Sequence, residues 1–199
     1  MNKASTVLGL MASVALSAIA PSWAAGQAAP LVVEVRGGVA TPVGSFADGE
    51  GLGEGTTSGA SLGFDLAFSG SGRRTFYVGF SQHRFVCAEA GCPPGGPFVA
   101  TGFDLGFRFN LITRGSFIPW VRLGAVTGQV ESPGVGPSPR GVGSIGYGGE
   151  VGVGVYLGAW NAVALNPGVR LTRVAAKLPG GSRLAMRYVV ADLGFALAF

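Results

Sequence analysis

The 199-residue chain carries 14 Lys and Arg against 10 Asp and Glu, for a net charge of +4, and only 12% of its residues are charged. Gly supplies 36 positions and mean hydropathy is +0.45, yet after residue 24 no apolar run approaches the ~20 residues of a membrane-spanning helix. This excludes a helical membrane protein, and singly scattered basic residues on an exported chain exclude nucleic acid as a partner; a β-barrel in lipid or a Gly-rich soluble β domain is left.

Residues 1–24 read as a secretory signal peptide. Lys3 gives the positive start, Val7 to Ala20 the uncharged apolar core, and Ser22-Trp23-Ala24 a small-x-small cleavage site. The alternative, an anchor helix, is disfavoured by the short apolar run. Residues 25–199 then form one domain.

Eight segments alternate apolar and small or polar residues with period two, the signature of strands. They are Leu31 to Phe46, Ser58 to Phe68, Thr75 to Val86, Phe98 to Leu111, Phe117 to Val130, Ile145 to Leu157, Val163 to Ala176 and Leu184 to Phe199. In the fourth, Val99, Thr101, Phe103, Leu105, Phe107, Phe109 and Leu111 oppose Ala100, Gly102, Asp104, Gly106, Arg108 and Asn110. Short connections (Ser69 to Arg74, Ile112 to Ser116, Gly158 to Ala162) alternate with longer ones (Ala47 to Thr57, Cys87 to Pro97, Glu131 to Ser144), and Lys177 to Arg183 is of middling length. Outer-membrane barrels place short turns on the periplasmic side and longer loops outside. The pattern therefore predicts an all-β chain, an eight-stranded antiparallel up-and-down transmembrane β-barrel in which the first and last strands pair.

The second face of each segment is small or charged rather than wet with Lys, Thr and Ser, as the inside of a narrow barrel requires. Nine charges fall on this phase: Glu34, Arg36, Asp65, Asp104, Arg108, Arg122, Glu150, Arg170 and Asp192. Each would be costly in hydrocarbon, so they are expected to face inward and pair. An Arg170-centred cluster with Asp192 and Glu150 is expected, with a separate lower cluster drawing on Glu34, Arg36, Asp65, Arg108 and Arg122. Glycines on this face suit close strand approach and curvature.

The spacing Asp192, Gly194, Leu197, Phe199, ending the chain on an aromatic residue, resembles the C-terminal signal read by the outer-membrane assembly machinery. From Leu31 through Phe199 the chain resembles the small OmpA/OmpX-type outer-membrane β-barrel proteins; Gly37 to Phe46 looks like their first-hairpin segment. The resemblance implies location in the bacterial outer membrane, with outer-membrane lipid and lipopolysaccharide as surroundings, the assembly machinery as partner during biogenesis, and a monomer. It implies no single activity, because such barrels serve as anchors, adhesins, narrow channels and a few enzymes. With no domain after Phe199, a wall-tethering role is not expected.

No phosphate loop, metal cluster or triad spacing stands out, and neither cofactor nor metal is expected. The one histidine, His83, shares the inward phase with Ser81, away from lipid, which reads as a rim histidine bonded to a neighbour rather than a catalyst. Cys87 and Cys92 are expected to close a small loop disulfide in an oxidising compartment. The loops carry Asp48, Glu50 and Glu54 early and Arg140, Lys177 and Arg183 late, a pattern read mainly as solvated charge. Phe117 and Trp160 suit a periplasmic aromatic girdle, and Phe46, Phe85 and Phe98 an outer one. The expected role is structural or surface-interacting, not enzymatic. The alternative is a narrow channel gated by the lumen ion pairs, with a lipid-modifying enzyme or a soluble ligand-binding barrel further off.

Overall fold

The computed structural model describes residues 31–43, 56–69, 73–87, 96–134, 140–160, 163–181 and 183–199. Eight long strands carry the fold: β1 (Leu31–Pro42), β2 (Gly59–Ser69), β3 (Arg74–Cys87), β4 (Pro97–Asn110), β5 (Phe117–Ser132), β6 (Gly146–Trp160), β7 (Val163–Lys177) and β8 (Arg183–Ala198). Each pairs antiparallel with its sequence neighbours, and β1 pairs with β8 from Val32↔Ala198 to Pro42↔Tyr188, so the sheet closes. Two-residue pieces, Thr56–Thr57 and Gly141–Val142, lengthen the ladders beside β3 and β5 at the end with the longer connections. The predicted signal peptide and the acidic positions Asp48, Glu50 and Glu54 lie outside the described residues.

Period-two alternation runs through the whole ring, with the usual faces reversed. Large apolar side chains stand outward and exposed, among them Val35, Leu62, Phe64, Phe80, Phe103 (58%), Leu105, Val153 and Phe195. Across β3 and β4 the outward aromatics sit opposite one another and meet edge to face, Phe76 with Phe107 and Phe80 with Phe103. A soluble protein does not show a continuous apolar belt on this scale. A bilayer demands one, together with full internal satisfaction of the backbone, which ring closure supplies.

Prolines mark two places on the outward phase. Pro119 faces Val155, and at Pro167 the β6–β7 ladder passes from Gly154↔Gly168 to Leu157↔Leu165 without pairing the residues between. Lacking an N–H, Pro167 cannot donate to the ladder there. β6 also runs on to Trp160, beyond the predicted end at Leu157, through an irregularity in its pairing with β7.

Candidate functional site in the barrel lumen

The lumen is filled in layers. Nearest the chain termini, Trp120 donates its indole N–H to Asn166 Oδ1 (2.7 Å), and Asn166 donates to Glu34 Oε1 (2.7 Å). The Arg108 guanidinium lies over the rings of Trp120 (4.8 Å) and Tyr156 (5.3 Å), a cation–π contact made by a buried cation.

The nine inward charges fill the middle. Register puts like charges side by side: Glu34 opposite Asp65, with Asp65 and Asp104 flanking Gly79 on either side; Arg108 opposite Arg122, with Arg122 and Arg170 flanking Gly152. One stretch of wall is therefore mainly acidic, with Arg36 beside it, and another mainly basic, with Glu150 beside it. Each row alone would be repulsive; these flanking groups and the facing row resolve it. Arg108 reaches Glu34 (3.0 Å) and Asp65 (3.5 Å), and Arg122 reaches Asp65 (3.1 Å) and Asp104 (2.6 Å) and bonds Glu150. Arg36 bonds Asp65 (2.6 Å) and lies 3.6 Å from Asp192; Arg170 takes Asp192 (2.5 Å) and Glu150 (3.5 Å). Tyr77 adds its hydroxyl to Glu150 (2.8 Å), with the Arg122 guanidinium 4.0 Å above its ring.

Arg170 does bring Asp192 and Glu150 together, but the two clusters expected from sequence are one network. Arg122 joins them through Glu150, and Arg36 through Asp192. Arg122, which hydrogen-bonds three carboxylates, is the hub rather than Arg170, which bonds two; Arg36 lies near four but bonds Asp65. In a narrow lumen a guanidinium spans from wall to wall, so height along the strand does not separate the pairs.

The inward glycines make room for this network. A Cβ on Gly79 would collide with the carboxylates of both Asp65 and Asp104, one on Gly124 with the Tyr77 hydroxyl, and one on Gly154 with the Trp120 ring. Gly79→Val is expected to push the two carboxylates off Arg36 and Arg122 and lower stability by roughly 1–3 kcal/mol. Urea titration of the refolded barrel reads this directly; an unmoved midpoint would mean that the lumen has slack.

Above the charges lies an apolar cap of Phe85, Phe98, Val130, Leu178, Leu184, Met186, Tyr188 and Val190. This corrects the expectation that Phe85 and Phe98 form an outer aromatic girdle: both are 0% exposed, and Phe85 packs on Tyr188 (5.2 Å). Parity explains it, since Phe85 shares its phase with His83 and Phe98 with Ala100 and Asp104. Phe46 and the Trp160 side chain lie outside the described residues; Phe117, at 57% exposure, stands outward beside a short turn. His83 is buried beneath the cap, where its Nδ1 shares a hydrogen bond with Ser61 Oγ (2.9 Å) on β2 rather than with Ser81. The void beside it, lined by Ser81, Ala100, Val130 and Tyr188, is about 20 Å³, room for one water molecule. Cys87 ends β3, and its expected partner Cys92 lies outside the described residues.

Trp120, Asn166, Tyr156 and Tyr77 are the lumen residues that the count of charges passes over. Their inward parity was legible; their hydrogen bonds required knowing which walls face each other.

Solved structures share this architecture. This is the fold of the small bacterial outer-membrane β-barrels. Neisserial surface protein A matches with a TM-score of 0.63 at 16% identity, covering 87% of this chain and 99% of that one. The outer membrane protein OprG from Pseudomonas aeruginosa matches with a TM-score of 0.54 at 13% identity, covering 86% and 98%. AlkL, an outer membrane protein solved in lipid bilayers, matches with a TM-score of 0.51 at 17% identity, covering 92% and 97%. No protein-family model matches the sequence, and no curated protein matches it. A closed barrel of this fold, belted by exposed apolar side chains, sits in the bacterial outer membrane.

Proposed function

We propose that this barrel is a non-conducting, non-enzymatic anchor of the outer membrane that acts through its outer face and extracellular loops, with a Cys87–Cys92 bridge bracing the connection after β3. The filled lumen carries the reading. A braced charge layer under a cap of large apolar side chains opposes the passage of a hydrated ion. His83, the residue nearest to catalytic chemistry, points into the barrel, where an acyl chain from the membrane does not reach it.

A second reading, a narrow channel gated by the ion pairs, draws on the continuity of the same charges across the lumen. Single-channel recording in a planar bilayer separates the two. The refolded chain and its Arg122→Ala and Arg170→Ala variants are expected to be silent, or open only in the Arg122 variant, where the brace is gone. Discrete openings of the unmodified protein that change with either substitution would make the network a gate.

A further inference from the structure

The outward face of the β7–β8 hairpin changes character abruptly toward its connecting turn. Up to Leu171 and Val189 the outward residues are apolar; the next outward pair is Arg173 opposite Arg187, and the ladder ends on Lys177 opposite Arg183. All four side chains are exposed, and none forms an ion pair among the described residues. Like charges directly opposite one another destabilise a sheet, so two outward basic pairs, separated only by Ala175 opposite Ala185, favour an anionic partner from outside the barrel. Among the described residues, β3, β4 and β5 carry no such basic pair toward this end: their outward positions include Gln82, Thr101, Thr127 and Gln129, with Gln82 bonded to Thr101, and the exposed Arg84 faces Val99 rather than a second cation.

A second feature lies on the same strands, nearer the middle of the belt. At the ladder break beside Pro167 the outward surface sinks into a shallow groove lined by Gly37, Val153, Pro167, Val169, Ala191 and Leu193. Small outward residues on β1 and β8 and the missing pairing on β7 form its floor. From Ala191 to Arg187 is four residues of strand, on the order of 13 Å. That is within the span from a lipid's headgroup to the middle of its chains. Exposed Tyr147 on β6, opposite Ala175 on β7, flanks the basic pairs at the level where amphipathic rings mark a membrane interface.

We propose that this face is a binding site for a phosphorylated lipid of the outer leaflet, with its phosphates on Arg173 and Arg187 and an acyl chain in the groove at Pro167. The commitment to a lipid rather than a soluble anion rests on continuity, because the basic pairs stand directly over the apolar groove on the same two strands. This inference rests on the barrel's being membrane-embedded, but not on whether it conducts.

The test uses the full chain, purified from membranes in detergent and reconstituted, with diphosphorylated lipid A, phosphatidylcholine and inorganic phosphate as probes and lipid adducts counted by native mass spectrometry. Wild type is expected to hold lipid A in preference to phosphatidylcholine. Arg173→Gln with Arg187→Gln should weaken that preference about thirtyfold. Arg74→Gln, a basic outward position at the opposite end, should leave it intact, and Arg173→Lys with Arg187→Lys should retain most of it. Heat-modifiable gel migration establishes first that each variant is folded, and the Lys pair keeps the test sharp if the Gln pair is not. Equal retention of both lipids, equal loss in the Arg74 variant, or complete displacement by inorganic phosphate would overturn the proposal. Tight binding of heparin without lipid, abolished by the same Gln pair, would overturn it in favour of a soluble polyanionic partner.

Discussion

Arg122→Ala is expected to destabilise the barrel by about 3–5 kcal/mol, because removing one partner of a buried ion pair strands the charges it held. Asp65, Asp104 and Glu150 all bond this guanidinium, and Tyr77 lies beneath it. Arg36 still reaches Asp65, and Arg170 still reaches Glu150, so two carboxylates keep a partner. Asp104 keeps only the more distant Arg36, at 3.8 Å. Arg170→Ala should cost less, since the remaining contacts of Glu150 with Arg122 and Tyr77 are intact. Urea unfolding in lipid vesicles ranks the two. If Arg170→Ala proves the more damaging, the centre of the network lies nearer β7 than the geometry indicates. Arg122→Met with Asp104→Asn together should recover part of the loss, as replacing a buried ion pair with uncharged side chains is often tolerated.

Leu105→Arg tests the other face. Leu105 is 48% exposed on the outward side of β4, between Val78 and Ala125 on the neighbouring strands. On a water-facing surface a charge at such a site changes stability by no more than about 0.5 kcal/mol. In the middle of a bilayer it costs about 2–4 kcal/mol. The expected outcome is the second, seen as a loss of folded, heat-modifiable protein in vesicles. In detergent micelles, where the long side chain finds water more easily, the penalty should shrink. A variant as stable as the parent in thick bilayers would mean that this surface is not in contact with hydrocarbon.

The strands and their faces were readable from the chain because a membrane barrel repeats one rule at every position. Val99 to Leu111 already sorts into lipid-compatible and lumen-compatible side chains, and the same parity assigns all nine inward charges. What period two cannot supply is reach. That Arg108 would meet Glu34, 74 residues earlier, depends on closure and on the short distance across the lumen, which no local pattern encodes. Phe85 and Phe98 show a different failure: large aromatics near strand ends suggest an interfacial girdle by type, while their parity with His83 and Asp104 puts them inside. Parity is the stronger guide, because one step of register moves a side chain to the opposite face. Trp120 and Asn166 were hidden for a third reason. As uncharged residues they carry no penalty that forces an orientation, and their importance appears only with the bonds they make.

The spacing of the lumen charges along the chain also bears on how the barrel comes to be built. An isolated β1–β2 hairpin holds Glu34 beside Asp65 with Arg36 as the one guanidinium between them, and an isolated β4–β5 hairpin holds Arg108 beside Arg122 with Asp104 as the one inward carboxylate, so each carries one uncompensated lumen charge as an insertion intermediate. Full neutralisation requires sequence-distant strands to curl toward each other, as in the 57-residue span from Asp65 to Arg122. Completing the network therefore favours closing the β1–β8 seam over leaving an open edge, the form in which half-built barrels could pair with one another.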